Sequence, residues 1–266
     1  MNIVVLVKQV PDMEQVKFNR EKGTVDRSSA GVEVNPFDLN ALETAVAIRE
    51  LTGNTHVCAV SMGPPQAANA LRECIARGAD DALLVSDAKF GGSDTRATSL
   101  ILAAAVRAAG PFDLVITGEK TVDGDTGQVG PELAEYLRLP HAGYVSAVQS
   151  VGEDSLDVVS DIWEGTFLKR LKFPALISVT KDINQPRLPS FKSKMAARKA
   201  EIRSIGFDAL TEYLKPENVG FKGSPTKVKK IEVPPALTRD GHVYREDEAG
   251  DGLDALLAAI GERRIL

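Results

Sequence analysis

"DLVITGEKTVDGDTGQVGPELAEYL", residues 113–137, sets a short apolar run against a helical repeat, with a loop of glycines and carboxylates between them. The run at 113–119 is continuous and too short for a helix, as expected of a strand covered on both faces. Val129, Leu133, Tyr136 and Leu137 then keep helical phase. Strand, loop and helix in that order form one unit of an α/β fold, and the preceding residues repeat it. "NIVVLVK" (2–8) is the first strand. "NPFDLNALETAVAIREL" (35–51) follows as a helix with Leu39, Leu42 and Val46 on one face, Asn35 as N-cap, Pro36 at its first position and Gly53 beyond its end. "HVCAVSMG" (56–63) is the second strand, followed by a helix over 65–77 that turns Ala67, Leu71, Cys74 and Ile75 toward the sheet. "DALLVSD" (81–87) is the third, Asp94 caps "TRATSLILAAAVRAAG" (95–110), and 113–119 is the fourth. This alternation predicts an open, parallel, twisted α/β sheet with flanking helices and right-handed crossovers.

After residue 142 the rhythm changes. "GYVSAVQSV" (143–151), "SLDVVSDIW" (155–163) and "TFLKRLKFPALISVT" (166–180) read as antiparallel strands added to the sheet rather than further βαβ units. From Lys181 onward Pro186, Pro189, Pro216, Pro225, Pro234 and Pro235 interrupt short segments. Only "FKSKMAARKAEI" (191–202), a basic candidate, and the firmer "GLDALLAAIGERRI" (252–265) read as helices. So long a tail with so few core-forming segments is expected to lean on a partner.

With 43% hydrophobic and 26% charged residues among 266, the chain has an ordinary globular composition. Its formal charge of -5 gives no pull toward nucleic acid or anionic membranes. The apolar run from Ile3 to Val7 stops at Lys8, too short to target or span a membrane. Cys58 and Cys74 fall inside a strand and a helix, as reduced core thiols do, and a cytoplasmic location is expected.

Chemistry in an open parallel sheet gathers at the carboxyl ends of the strands, where strand order reverses. Those ends read "VKQVPD", "SMGPP", "SDAKFGGSDT" and "TGEKTVDGDTGQVG", which suit binding better than nucleophilic catalysis. A helix starting between Thr126 and Gly130 exposes free N–H groups and a partial positive end, a ready phosphate site. Gly124, Gly127 and Gly130 permit close backbone approach or positive φ. Asp123 and Asp125 would repel phosphate, so they are better placed capping the helix, accepting from ribose or flavin groups, or ordering the loop. A capped βα turn with no ligand would use the same residues. Generic fingerprints fail: the glycines are spaced GxxGxxG rather than GxGxxG, and no GxxxxGK[ST] occurs. "FGGSDT" (90–95) lacks the leading serine of the ATP-pyrophosphatase loop and follows the wrong strand. His56, His141 and His242 have no metal-ligand companions in the sequence.

Together, "VVLVKQVPD" (4–12), "NPFDLNALETAVAIRE" (35–50), "VSMGPP" (60–65), "RECIARGADDALLVSD" (72–87), "DLVITGEKTVDGDTGQVGPELAE" (113–135) and "PRLPSFKSKMAARKAEI" (186–202) resemble the β subunit of electron transfer flavoproteins. The resemblance implies a Rossmann-like, adenine-nucleotide-binding α/β domain at 1–183, a partner-recognition segment at 184–204, and an extended C-terminal arm at 205–266 packing on an α subunit that holds the electron-carrying FAD. It implies a β nucleotide pocket built from Leu6 and Val7, from Asn35, Pro36, Phe37 and Asp38, from Met62, and from the loop Gly118, Glu119, Lys120, Thr121, Val122, Asp123, Gly124, Asp125, Thr126, Gly127, Gln128 and Val129. Helix capping for Asn35 to Asp38, and core packing for Met62, explain those residues without a ligand.

The ordinary branch of the family holds a structural AMP in β; the electron-bifurcating branch holds a second FAD that takes hydride from NADH. "VDGDTGQVGP" looks like the bifurcating form, because Gly124 and Thr126 stand where ordinary members carry bulkier, more acidic residues. "GGSDTRATS" (91–99) does too, its Thr95 and Thr98 within reach of a flavin. The resemblance then implies electrons passing to ferredoxin or flavodoxin and, through the α FAD, to an acyl-CoA dehydrogenase-type partner. No catalytic acid or base is expected, since the flavin carries the reactivity. Phe191, in place of the usual leucine, with Lys194, Met195 and Arg198, would dock the dehydrogenase; a basic helix of this kind also suits an anionic surface or plain solvation, and charge alone favours solvation. Asp161 and Trp163 would lie near the α flavin. The face of Leu253, Leu256, Leu257 and Ile260 would pack on the α subunit. Two other classes share these residues: a carrier whose β subunit binds only structural AMP, and a homodimeric regulatory nucleotide-binding module.

Overall fold

Ile3, Val4, Val5, Leu6 and Val7 are all buried, because the strand they form is covered on both faces. The computed structural model describes residues 1–12, 17–19, 24–26, 31–228, 243–245, 247 and 249–262. Pro234, Pro235 and His242 of the expected arm lie outside the described residues, as do 263–265 of its helix. The chain divides into two units, Met1–Lys230 and Ile231–Leu266.

In the first unit, β1 (Asn2–Leu6) is followed by the short pairs β2 (Gln9–Pro11) with β5 (Val32–Val34) and β3 (Lys17–Asn19) with β4 (Thr24–Asp26). Then come α1 (Pro36–Thr52), β6 (His56–Met62), α2 (Ala68–Arg77), β7 (Asp81–Val85), α3 (Thr95–Ala109), β8 (Leu114–Gly118) and α4 (Val129–Leu137). The β-rich part supplies β9 (His141–Val151), β10 (Ser155–Ile162), β11 (Gly165–Lys172) and β12 (Ala175–Val179). After it come α5 (Phe191–Arg198), β13 (Arg203–Ile205) and the short α6 (Gly220–Gly223). The expected helix over 65–77 opens as a 3-10 turn at Pro65–Ala67, since consecutive prolines at 64 and 65 remove two backbone donors. α5 stops short of residue 202, because the chain must extend to pair β13 with β7.

Nine strands form one sheet in the order β11-β10-β9-β12-β8-β1-β6-β7-β13. From β9 through β13 every neighbouring pair is parallel; only β9–β10 and β10–β11 are antiparallel. The stretch at 166–180, expected as one antiparallel segment, is two strands. Phe173 and Pro174 separate them, and β12 turns back to lie parallel between β8 and β9. Alternate residues of the strands feed two cores. Ile3, Val5 and Val7 pack with Leu42, Val46, Leu71 and Cys74 of α1 and α2, whereas Val4 and Leu6 pack with Ile101, Val106 and Leu133 of α3 and α4. Both cysteines are buried free thiols, and burial drives each far above its ordinary pKa.

After β1 the chain lays β6 and β7 on one side, then returns across the sheet to place β8 on the other. Strand order therefore reverses between β1 and β8, and a crevice is expected beyond their carboxyl ends.

Asp94 caps α3 through a bond from Ala97 N–H at 3.0 Å, and its other oxygen accepts from Thr226 N–H and hydroxyl at 2.9 and 2.8 Å. Asp94→Ala removes a helix cap and an anchor together, and is expected to lower the unfolding free energy by about 2 kcal/mol, measured by urea denaturation.

In the second unit, α7 (Ala249–Glu262) carries Leu253, Leu256 and Leu257 exposed. Among the described residues no helix is long and apolar enough to cross a membrane.

Candidate nucleotide-binding crevice at the strand-order reversal

Both walls of the crevice are held by side chains that reach across it. β1 ends at Leu6 and runs on through Val7, whose N–H still donates to Val60 at 2.9 Å. Asn35 occupies the N-cap position of α1, but its side chain does not cap the helix. Its Nδ2 donates to Lys120 O at 2.9 Å and its Oδ1 accepts from Val122 N–H at 3.1 Å. Pro36, at the first helical position, is exposed, and Phe37 is half-buried. Asp38 is buried, and its Oδ2 accepts from Lys8 N–H at 2.8 Å. Burial pushes its carboxyl up to about 7, although Asn35, the Lys8 and Gly118 N–H groups and the Lys8 charge pull the other way.

The loop from Glu119 to Gln128 forms the opposite wall. Lys8 Nζ reaches both oxygens of Asp123 at 2.7 Å, and Lys120 pairs with Asp125 at 2.8 Å while lying 5.9 Å from the centre of the Phe37 ring. Neither aspartate caps α4; both order the loop. Burial raises Glu119, against the Lys120 charge. Burial also pushes Asp123 up, but the Lys8 bonds and charge outweigh it and leave that carboxyl below its ordinary range. Asp125, at φ 52, and Gly127, at φ 64, both take left-handed backbone, which glycine adopts without cost.

α4 begins behind Gln128 with no side-chain cap. Its first-turn N–H groups have no intrahelical acceptor, and Pro131 has no N–H to satisfy. Gly130 is set by packing instead: a Cβ there would overlap Ser178 Oγ and lie 3.1 Å from Thr117 Oγ1. Gly124 is unconstrained from within, since its Cβ would meet only Thr121 Oγ1, at 3.4 Å. Thr126 is exposed and Thr121 half-buried. Open N–H donors and a glycine-lined tip fit a phosphate-bearing ligand.

One expected contributor, Thr95, bonds within the chain. Thr95 Oγ1 donates to Gln128 Oε1 at 3.0 Å and lies 3.2 Å from Glu132 Oε1; Ser99 Oγ holds the second Glu132 oxygen at 2.9 Å. Thr95 thus ties α3 to the start of α4, next to an open cleft lined by Asp94, Gln128, Glu132, Tyr136 and Thr226. Met62 is half-buried against the α3–α4 core. Thr98 is half-buried in the first turn of α3.

Away from the crevice, Phe191 is 81% exposed on α5, with Lys194, Met195 and Arg198 also exposed. Leu188, which sequence reasoning passed over, is 86% exposed; its signal was an apolar residue fixed between Arg187 and Pro189. The base of this tip is anchored on α1. Arg187 pairs with both oxygens of Glu43 and both of Glu50, and Asn184 Nδ2 donates to Asn40 O and Thr44 Oγ1. Lys8 was the other residue missed, because a lysine at a strand end reads as solvated. Trp163 is fully exposed beyond β10, while Asp161 accepts from Thr166 at 2.6 Å.

Residues 22–210 match the electron transfer flavoprotein domain. Across 241 residues the chain is 42% identical to the electron transfer flavoprotein subunit beta of Megasphaera elsdenii, covering 88% of each chain. It is 37% identical over 267 residues to the caffeyl-CoA reductase-Etf complex subunit CarD of Acetobacterium woodii, covering 100% of both. It is also 38% identical over 244 residues to protein FixA of Azotobacter vinelandii, covering 88% of this chain and 84% of that one. With the strand-order reversal, the loop and the helix start already in place, these likenesses show that the chain belongs to the electron transfer flavoprotein family, among its β subunits.

Proposed function

We propose that this chain is the β subunit of a heterodimeric, electron-bifurcating electron transfer flavoprotein, acting in the cytoplasm, and that its crevice between β1 and β8 holds FAD. The supporting observation is the loop tip: Gly124 is exposed, leaves room for a Cβ and carries no charge ahead of an uncapped helix start. A flavin there supplies acceptance of hydride from NADH and release of its two electrons singly, one to ferredoxin or flavodoxin and one through the α-subunit FAD to an acyl-CoA dehydrogenase-type partner.

The chain's own residues bind and orient. The amides of Gly127, Gln128 and Val129 meet phosphate, Asn35 and Asp38 fix the walls, and backbone around Leu6 lines the base. Thr95 sets the position of Gln128 rather than contacting flavin directly. Leu188 and Phe191 form the apolar docking tip, with Lys194, Met195 and Arg198 around it. The arm and the apolar face of α7 pack on the α subunit, with Asp161 and Trp163 toward its flavin.

The deciding measurement is flavin stoichiometry and the visible spectrum of the αβ complex before and after NADH. Two FAD per heterodimer, with β flavin bleached by NADH, is the expected result; one FAD plus one AMP would overturn the bifurcating reading in favour of a structural AMP. Gly124→Asp is a finer test. A Cβ at this exposed position meets only Thr121 Oγ1, at 3.4 Å, so the substitution acts chiefly through its added charge on the ligand's phosphates. It is expected to weaken FAD in β about tenfold, the equivalent of one like-charge contact near the surface, and to leave the α flavin unchanged. Unaltered flavin content and NADH-driven reduction would remove the argument from Gly124.

A further inference from the structure

We propose that Lys8 and Asp123 are a positioning pair that braces the nucleotide loop against β1, and that neither contacts the nucleotide's phosphates. This rests on reading the crevice as an adenine-nucleotide site, and it reassigns Asp123 from ligand contact to scaffold.

Lys8 is fixed through its backbone before its side chain is considered. Its N–H donates to Asp38 at 2.8 Å, and its carbonyl accepts from Asn35 N–H at 2.9 Å. Its ammonium then spans the reversal point to hold both oxygens of Asp123 at 2.7 Å. The Asp123 side chain is 15% exposed and that of Lys8 44%, so the carboxylate depends on this one cation far more than the cation depends on it.

The other ties across the crevice, from Asn35 to Lys120 and Val122, use only loop backbone. Among the described residues, Asp123 supplies the loop side chain that grips β1, directly before the exposed tip at 124–126. Beyond it, Asp125 bonds within the loop, to Lys120 and through its N–H to Thr121 O at 2.8 Å. A phosphate could recruit Lys8 only by leaving the Asp123 charge in a half-buried place with no cation, held by the Thr121 hydroxyl and its own N–H alone, which is costly. Holding the loop in its bound shape beforehand instead lowers the ordering cost of binding for every ligand that uses it.

The test uses the purified αβ complex stripped of nucleotide, titrated calorimetrically with adenosine, AMP and FAD, and followed by hydrogen exchange of residues 119–128 before ligand is added. Lys8→Met and Asp123→Asn are each expected to weaken all three ligands about tenfold, adenosine included, although it has no phosphate. The double variant is expected to be no weaker than the poorer single one, and Lys8→Arg to stay within about threefold of wild type. Exchange in the loop should quicken in both single variants. If Lys8→Met weakens AMP and FAD but spares adenosine, while Asp123→Asn tightens AMP, Lys8 is a phosphate ligand and the proposal fails. Unchanged exchange in both variants also overturns the brace. A wild-type complex that binds none of the three ligands removes the nucleotide reading instead, and the exchange comparison still decides the brace.

Discussion

Gly118→Ala is expected to lower the unfolding free energy by about 3 kcal/mol, at the upper end of what one added methyl does in a packed interior. A Cβ at Gly118 would overlap an oxygen of Asp38 and lie 2.7 Å from Phe37 Cβ and 2.8 Å from the Phe37 carbonyl carbon. The last of these is backbone in the first turn of α1, so no side-chain rotation relieves it. β8 cannot retreat either: Thr117 pairs with Leu6 of β1 on one side, and Gly118 with Val179 of β12 on the other. The methyl must therefore push α1 away from β8 and disturb Asp38, which joins the two. Urea denaturation of Gly118→Ala beside Gly124→Ala checks this. The second substitution adds the same atoms where there is space, and should stay within about 0.5 kcal/mol of wild type. Equal stability of the two variants would mean that the crevice walls yield, contrary to the packing described. AMP and FAD affinity should fall in Gly118→Ala, because the displaced turn carries Asn35.

The rhythm of strands and helices was legible because it is local. A buried parallel strand needs an unbroken apolar run, and a helix covering it needs a 3.6-residue repeat; residues 2–8 and 113–137 show both. The place of each strand in the sheet was not, since nothing local to β8 says that it returns to the far side of β1. β12 was hidden for a related reason. Residues 166–180 are β-forming throughout, and only the Phe173–Pro174 break separates an exposed antiparallel strand from one buried at all five positions.

Within the crevice, the loop announced itself through glycines at a helix start. The partners of its charges stayed hidden, because Lys8 and Asp123 are 115 residues apart. Asn35 shows the same limit: its N-cap position was readable, but its side chain serves the loop across the crevice, and a single sequence carries no sign of that choice. The family resemblance named the pocket residues without distinguishing those that shape it from those that would touch a ligand. Thr95 bonds Gln128 and Glu132, and Asp123 bonds Lys8, and neither pairing is visible in the sequence.

Asp38→Asn is expected to stabilise the protein at pH 8 by a few kcal/mol and to leave it nearly unchanged near pH 4. The carboxyl rises from its ordinary 3.8 to about 7 in the fold, chiefly through burial. Between those values the folded chain holds a proton that the unfolded chain has lost. Stability contributed by this group therefore falls as pH rises through that window and levels off above about 7. At about 1.4 kcal/mol per pH unit of displacement, the ionised group costs on the order of 4 kcal/mol at the upper end. Lys8 is the cation facing it from the segment that follows β1, and Cys74, whose thiol Asp38 helps to raise, faces it from α2. Asparagine has no charge to bury and offers its single oxygen to one of the two N–H groups, Lys8 or Gly118, that the carboxyl serves. Asp87, Asp94, Asp123 and Asp157 shift the opposite way, so the raw pH profile is a composite, and the difference between wild type and variant isolates Asp38. Urea denaturation of both proteins at pH 4.5, 6 and 8 should give a gap that widens with pH; a constant gap would show that the carboxyl titrates alike in both states. A residue that makes the fold less stable when ionised, yet bridges Lys8, just past β1, to the end of β8, is one whose position serves the crevice more than the core.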